Sequence, residues 1–167
     1  MDFFEVLEAR RSVRAYKADP VPEDKLQRVL RAAQLAPTAC NLQPWRIVVL
    51  ETAGREQELR RVYGGAWLAQ APLVLCVASQ PGVAWKRSDG KSYADVDAAI
   101  VADHVILAAA AQGLGTCWIG AFRAAAAREL FGLLPDEEPV ALTPLGIPAV
   151  SHKARPRQPL EMLVRRR

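Results

Sequence analysis

The chain has 167 residues, of which 51% are hydrophobic and 24% are charged. This composition excludes an intrinsically disordered protein, and the length predicts one folded domain that spans residues 1–167. The net charge is +4, but the excess of basic residues lies near the two ends of the chain without forming a basic helix, and this distribution argues against nucleic-acid binding.

The first predicted element is a helix. Asp2 and Glu5 have the spacing of a capping box, in which each side chain accepts a hydrogen bond from the backbone amide of the other residue. Apolar residues follow on one face of this segment. The helix is predicted to continue far enough that Arg10 and Arg11 lie in its last turn.

Three arginines and a serine lie in the last predicted turn of this helix and directly after it. Basic residues at the end of a helix interact favourably with its dipole, so a solvated cluster is one interpretation. A second basic cluster near the far end of the chain favours another, because arginine binds phosphate with two parallel hydrogen bonds and serine adds a donor. The N-terminal cluster is Arg10, Arg11, Ser12 and Arg14, and the C-terminal cluster is Lys153, Arg155 and Arg157.

A second helix is predicted to begin at Pro22 and to end before Pro37, since proline starts a helix readily but disfavours helical backbone in the residue before it. The segment 36–45 then has two prolines, two carboxamides and no periodicity. It predicts a loop that presents polar groups. The alternative is that Asn41 and Gln43 only satisfy backbone groups of the turn.

The middle of the chain predicts helices alternating with buried strands. Thr52 is the predicted cap of a helix that ends near Tyr63, and a long polar surface loop is predicted around Trp85. The longest predicted helix is apolar on nearly all sides, so it must be buried against the sheet or a second subunit. The predicted strands are 46–50, 73–78, 115–120 and 140–147, and the remaining helices are 94–112 and 123–131.

The last segment, residues 150–167, carries apolar residues that it cannot bury by itself. We expect Leu160, Met162 and Leu163 to pack on another surface, such as that of a partner subunit. His104 lies on the long helix without a second residue at ligand spacing, so it is interpreted as a polar core or interface residue, and no metal site is predicted.

The cysteines indicate a reducing compartment. Cys40, Cys76 and Cys117 are far apart and form no CxxC pair, so neither a disulfide framework nor a zinc site is predicted. Cys76 and Cys117 lie in apolar runs and are predicted core residues. The N-terminus lacks the basic-then-apolar order of a signal peptide, and the longest apolar run is too short to span a bilayer, so we expect a cytoplasmic protein.

Four stretches of the chain, in this order, resemble the nitroreductase-like FMN-dependent oxidoreductases of the short, single-domain type. Any one of them alone is a weak signal, but their order and spacing match the family along nearly the whole chain. The stretches are Arg10-Arg11-Ser12-Val13-Arg14, Ala36-Pro37-Thr38 with Asn41-Leu42-Gln43-Pro44-Trp45, Gly113-Leu114-Gly115-Thr116-Cys117-Trp118-Ile119-Gly120, and Arg155-Pro156-Arg157-Gln158-Pro159-Leu160.

The resemblance implies an α+β fold with three layers, α/β/α, in which helices flank a central mixed, mostly antiparallel sheet. It also implies a homodimer in which the C-terminal segments are exchanged between subunits. FMN is the implied cofactor. Its N5 atom carries the hydride, so no side chain is expected to be catalytic.

The resemblance also implies which residues contact FMN. The phosphate is held by Arg10, Ser12, Arg155 and Arg157, and Arg14 approaches the pyrimidine edge, where a fixed cation stabilises the charge that reduction places on N1 and O2. A loop from the other subunit reaches the flavin, and a turn presents a backbone N–H to N5. The implied cofactor-binding residues are Arg10, Arg11, Ser12 and Arg14 near the start of the chain, Pro37, Thr38, Ala39 and Asn41 in the loop, Ile119 and Gly120 in the turn, and Arg155 and Arg157 near the end.

The chain departs from the family pattern in one place, and relatives vary at a second, Cys40. Many relatives have an asparagine or glutamine that contacts the flavin, where this chain has Gly64-Gly65-Ala66. Cys40 lies in the proposed flavin loop, and we expect it to be packed rather than reactive. Trp85 is a candidate for the substrate side.

The leading hypothesis is an FMN-dependent NAD(P)H oxidoreductase that reduces nitroaromatics, quinones or related small acceptors by ping-pong hydride transfer. One alternative is a flavin-binding or flavin-fragmenting relative without reductase turnover, because binding residues are more evident in the sequence than substrate residues. A basic nucleic-acid-binding module is a third hypothesis, and it depends on the pI of about 9.2 alone.

Overall fold

The computed structural model describes residues 2–167, which form six α-helices, two short 3-10 turns and three β-strands. The helices are α1 (Phe3–Ala9), α2 (Glu23–Gln34), α3 (Glu56–Val62), α4 (Ala94–Ala111), α5 (Ala124–Phe131) and α6 (Leu160–Leu163). The strands are β1 (Trp45–Glu51), β2 (Leu73–Ser79) and β3 (Glu138–Leu145), and the 3-10 turns are Ala39–Asn41 and Ala66–Gln70.

The three strands form an antiparallel sheet in the order β1-β2-β3. Strand β2 is central, and its residues are almost entirely buried because both faces of the sheet are covered. Side chains alternate along it, so that Leu75 and Val77 face one layer of helices while Val74 and Cys76 face the other.

Helices cover both faces of this sheet. Helices α2 and α4 pack on one face through Val29, Val101 and Val105, all of them fully buried. Helices α3 and α5 pack on the other through Leu59 and Phe131. The three-layer α+β architecture is therefore confirmed, and the long alanine-rich helix is buried against the sheet as predicted.

Helix α1 begins as predicted and ends earlier. The amide of Glu5 donates to Asp2 Oδ1 at 2.9 Å and the amide of Asp2 donates to Glu5 Oε2 at 2.7 Å, so the capping box is confirmed. The prediction that Arg10 and Arg11 lie in the last turn is wrong, because the helix ends at Ala9 and Arg10 has extended backbone (ψ 133°). The chain leaves the helix there to run alongside the core.

Thr52 does not cap a helix. Helix α3 begins only at Glu56, after Arg55, and Thr52 is buried. Its hydroxyl donates to the carbonyl of Ala71 at 2.6 Å, which satisfies a buried acceptor and links the end of β1 to the start of β2. The predicted cap was wrong because a turn, closed by the amide of Arg55 donating to the carbonyl of Thr52 at 2.9 Å, separates Thr52 from the first residue of the helix.

The predicted strand 115–120 is not a regular strand. It lies beside β3, where Gly115 pairs with Gly146 and Ile119 pairs with Leu142, but the pairs are isolated. Between them the amide of Cys117 donates to the side-chain oxygen of Thr143 at 3.2 Å instead of to a strand carbonyl, so the ladder is interrupted. We name residues 115–120 the edge segment.

Cys76 and Cys117 are buried as predicted, but Cys40 is exposed. Burial raises the pKa of the Cys76 thiol to about 12, so this thiol is neutral at physiological pH. The expectation that Cys40 is packed is wrong, because Cys40 lies in the exposed Ala39–Asn41 turn with left-handed backbone (φ 52°). No helix within residues 2–167 is both long and apolar enough to cross a membrane.

Candidate functional site

The two basic clusters line one cavity of about 870 Å³. The ends of the chain therefore fold back to the same place, although the clusters are separated by almost the whole sequence. The lining residues are Leu7, Glu8, Arg10, Arg11, Ser12 and Arg14 from the N-terminal side, and His152, Lys153, Ala154, Arg155 and Arg157 from the C-terminal side.

Main-chain hydrogen bonds bring the chain ends together. The amide of Val13 donates to the carbonyl of Thr116 at 2.8 Å, which fixes the N-terminal cluster against the edge segment. Lys17 donates to Ile147 and Ala149 donates to Ala15, both at 2.9 Å, so the end of β3 continues alongside the N-terminal segment. The cavity lies where these paired segments separate.

The cavity carries a strong positive charge. Its lining contributes six permanent cations and the carboxylate of Glu8. Arginine forks and a serine hydroxyl are donors that match the oxygens of a phosphate ester, and the positive field adds to their attraction. The donor set therefore fits the dianionic phosphate of a mononucleotide such as FMN.

Arg11 lines the cavity but directs its guanidinium to backbone carbonyls. Nε donates to the carbonyl of His152 at 3.3 Å, and Nη1 donates to the carbonyl of Arg10 at 2.8 Å. Nη1 also donates to the carbonyl of Glu8. Its position thus differs from that of Arg10 and Arg14, for which no such carbonyl contacts occur within residues 2–167.

Arg14 lies over an aromatic pair. Its guanidinium carbon is 5.8 Å from the centroid of the Trp67 ring, a cation–π distance, and Trp67 meets Tyr63 edge to face at 5.4 Å. A Cβ on Gly65 would lie 2.7 Å from Trp67 Nε1 and closer still to Tyr63, so only glycine fits between the rings.

Two neutral side chains lie behind the N-terminal cluster. Burial raises the pKa of the Cys117 thiol, and the neighbouring Arg14 only partly opposes this effect. Burial also raises the pKa of Tyr16, whose hydroxyl donates to the carbonyl of Val13 at 2.7 Å. Both groups are uncharged at neutral pH, so neither adds a negative charge beside an anion held by the arginines.

The loop residues Pro37, Thr38, Ala39 and Asn41 are not on this cavity. The loop is fixed instead to the start of α4, where the amide of Ala39 donates to Asp97 Oδ1 at 3.1 Å. Gln43 also satisfies the turn, because its amide donates to Thr38 Oγ1 at 3.0 Å and its side chain donates to the carbonyl of Asn41 at 3.1 Å. Asn41 itself is exposed.

Ile119 and Gly120 lie at the far end of the edge segment. Ile119 is buried, and its amide donates to the carbonyl of Leu142 at 2.9 Å. Gly120 is exposed, and among residues 2–167 its amide has no hydrogen-bond acceptor. Of the two, Gly120 is the residue whose N–H is free to meet a ligand.

An apolar groove of about 510 Å³ lies between α1, α2 and α4. Phe3, Leu107 and Ala108 line it together with His104, whose Nδ1 is 3.0 Å from the carbonyl of Ile100. His104 is thus half-buried at a groove edge. Trp85 lies away from the basic cavity and packs edge to face on Tyr93 at 4.9 Å.

Sequence reasoning missed His152 and Trp67. The position of His152, directly before the C-terminal cluster, was an available signal, because a neighbour of a binding residue often shares its cavity. Trp67 carried no local signal, since it meets Arg14 only after the fold has brought residues 14 and 67 together.

The fold and the cavity define a three-layer α+β protein with a strongly basic cavity between its chain ends. The chain belongs to the nitroreductase family, whose model matches residues 7–65 and 55–147. The resemblance inferred from the four sequence stretches is therefore confirmed.

Characterised sequences and solved structures agree with this assignment. The chain is 33% identical to an NADH dehydrogenase of Thermus thermophilus, over 93% of this chain and 91% of the relative. It is 30% identical to an NADPH-flavin oxidoreductase of Vibrio harveyi, over 96% and 71%. A nitroreductase family protein of Clostridium difficile has a similar structure, with a TM-score of 0.89, 32% identity and coverage of 99% and 98%.

A second similar structure contains a nucleotide. The NADPH:FMN oxidoreductase of Vibrio harveyi complexed with NAD+ superimposes with a TM-score of 0.87 and 25% identity, over 99% of this chain and 77% of the other.

Proposed function

We propose that this protein is an FMN-dependent NAD(P)H oxidoreductase formed by a single domain, residues 1–167. The observation that carries the proposal is the convergence of two basic clusters on one cavity in a chain of the nitroreductase family. The names of the relatives, which include an NADPH-flavin oxidoreductase and an FMN reductase of Bacillus subtilis, support the same reaction class.

Arg10, Ser12, Arg155 and Arg157 hold the FMN phosphate in this proposal. All four line the cavity, and together they offer charged forks from both ends of the chain and one hydroxyl.

Arg14 and Gly120 act on the isoalloxazine ring. When bound, FMN accepts a hydride at N5 and passes two electrons to the second substrate. Arg14, which lines the cavity beside the phosphate donors, would place a cation at the pyrimidine edge, and the unengaged amide of Gly120 would be the donor for N5. The carbonyl of Thr116 accepts the hydrogen bond of the Val13 amide, which keeps the N-terminal cluster beside the edge segment that carries Gly120.

We further propose a homodimer in which Pro37, Thr38, Ala39 and Asn41 of one subunit reach the flavin of the other, with C-terminal segments exchanged. Two features support it. The loop is separate from its own chain's basic cavity, and the tail exposes apolar side chains, with Leu160 at 71%, Met162 at 74% and Leu163 at 62% exposure.

The exposed apolar side chains of the tail allow a test of the proposed dimer. Changing Leu160 and Leu163 to lysine should shift the protein toward monomer in sedimentation at micromolar concentration, because two charges would enter an apolar interface. Leu134→Lys is the matched control, since Leu134 is 57% exposed but lies after α5. A double variant that sediments like the native protein would refute exchange of the tail.

The acceptors that we propose are nitroaromatics, quinones or related small aromatic compounds. NAD(P)H and the acceptor occupy the same exposed face in turn, which gives ping-pong kinetics. We place the protein in the cytoplasm, because Cys40, Cys76 and Cys117 are all free thiols.

Anaerobic mixing with NADH and with NADPH tests the proposal. The FMN-loaded protein should lose its yellow absorbance with at least one of them, and addition of a quinone should restore it. If FMN binds but neither nucleotide bleaches it, the flavin-binding alternative without reductase turnover is correct. If FMN does not bind, both flavin hypotheses fail.

A further inference from the structure

We infer that Arg11 is a positioning residue that fastens the C-terminal cluster to the end of α1, so that the two halves of the anion site face each other. The inference deepens the proposed function, because the site that Arg11 assembles is the one assigned to the FMN phosphate. Arg11 acts through Arg155 and Arg157 and is not itself a phosphate ligand.

The contacts of Arg11 join two distant parts of the chain. Its Nε donates to the carbonyl of His152, 141 positions away, at 3.3 Å. Its Nη1 donates to the carbonyls of Glu8 and Arg10, and the latter distance is 2.8 Å. The planar guanidinium thus connects the last turn of α1 to the start of the tail.

The tail has little else to hold it. Main-chain pairing between the tail and the body ends at Ala149, whose amide donates to Ala15 at 2.9 Å. Within the described chain, residues 2–167, the bond from Arg11 to His152 is the one hydrogen bond that joins residues 150–167 to the rest. Residues 153–167 are exposed, so packing within the subunit does not replace it.

The C-terminal donors begin immediately after this attachment point. Lys153 is adjacent to His152, and Arg155 and Arg157 follow at alternate positions. Without this attachment, all three side chains could move away from Arg10 and Ser12. Ordering them again when the phosphate binds would cost conformational entropy, and the affinity would fall.

The substitution Arg11→Lys distinguishes a role of Arg11 in positioning the tail from a role of its charge in binding the phosphate. Arg11→Lys keeps the positive charge in the cavity, but a single ammonium on a flexible stem does not reproduce a fork that spans both chain segments. If Arg11 acted by its charge on the phosphate, lysine would restore most of the affinity. If Arg11 acts by positioning the tail, Arg11→Lys and Arg11→Ala should lower FMN affinity to a similar extent.

The first measurement uses flavin-free protein and needs no ligand. Trypsin should cut after Lys153 and Arg157 about tenfold faster in Arg11→Ala and Arg11→Lys than in the native protein, because a charged hydrogen bond no longer restrains the tail. Arg10→Ala is the matched control; it removes one charge from the same cavity and should leave the cleavage rate unchanged. Thermal unfolding by circular dichroism confirms that each variant is folded.

The second measurement is FMN affinity. Both Arg11 variants should bind FMN about tenfold more weakly than the native protein. Native-like affinity in Arg11→Lys, or tail cleavage that is no faster in the Arg11 variants, would overturn the inference. Failure of the proposed function would be seen differently, as native protein that binds no FMN. In that case the trypsin cleavage rates alone would decide the role of Arg11.

Discussion

Replacing Arg10 or Arg155 by alanine should weaken FMN binding by about 1.5–3 kcal/mol, or about 10- to 150-fold, because each change removes a charged hydrogen bond to the phosphate. The double variant should lose more than either single variant, since the two side chains approach the ligand from opposite ends of the chain. Fluorescence titration of flavin-free protein measures both effects.

Two controls make this result specific. Riboflavin, which lacks the phosphate, should bind the native protein and the double variant with similar affinity. Arg60→Ala removes an exposed arginine of α3 that does not line the cavity, and it should leave FMN affinity unchanged. Unchanged FMN affinity in both Arg10→Ala and Arg155→Ala would remove the phosphate assignment.

Replacing Arg14 by alanine should lower the two-electron potential of the bound flavin more than it changes FMN affinity. A cation at the pyrimidine edge stabilises the reduced, negatively charged ring more than the oxidised one. If it contributes as one charged hydrogen bond, its loss corresponds to about 30–60 mV for a two-electron couple. Equilibration with a reference dye during anaerobic reduction gives the potential.

The aromatic pair provides a second variant for this test. Trp67→Leu keeps Arg14 but removes the ring face beneath its guanidinium, so a smaller shift in the same direction is expected. Arg60→Ala again serves as the charge-matched control. A potential that stays at the native value in Arg14→Ala would contradict the role at N1 and O2.

The features that were predictable from the sequence depend on local chemistry or on strong periodicity. The capping box of Asp2 and Glu5 is set by a spacing of three residues, and the apolar run of α4 allows only a buried helix. The basic clusters were also predictable, because arginines accumulate near both ends of the chain and one bound phosphate would account for both clusters.

The features that were missed depend on partners distant in the sequence. Thr52 has the chemistry of a cap, but the carbonyl of Ala71 is the acceptor that the fold supplies. The edge segment has the sequence of a strand, but the amide of Cys117 donates to the side chain of Thr143 and not to a strand carbonyl. The fork of Arg11 is likewise decided by a carbonyl 141 positions away, which no local pattern encodes.

The loop that carries Ala39 and Asn41 was predictable in its exposure but not in its contacts. Composition indicated an exposed polar loop, and the structure adds its attachment to Asp97 and the left-handed backbone of Cys40, Asn41 and Gln43. Three such residues cost conformational energy, which the surrounding hydrogen bonds must offset. In our proposal the loop also contacts the flavin of the partner subunit, and the sequence of one chain does not encode that contact by a local pattern.

In our proposal, the two ends of the chain together hold a phosphate group. Titrating the flavin-free protein with FMN and with riboflavin, which differ only in that group, tests it most directly. FMN should bind at least about 100-fold more tightly, as expected for two or more charged hydrogen bonds, and the difference should shrink as salt is raised. Equal affinities for the two flavins would contradict the claim.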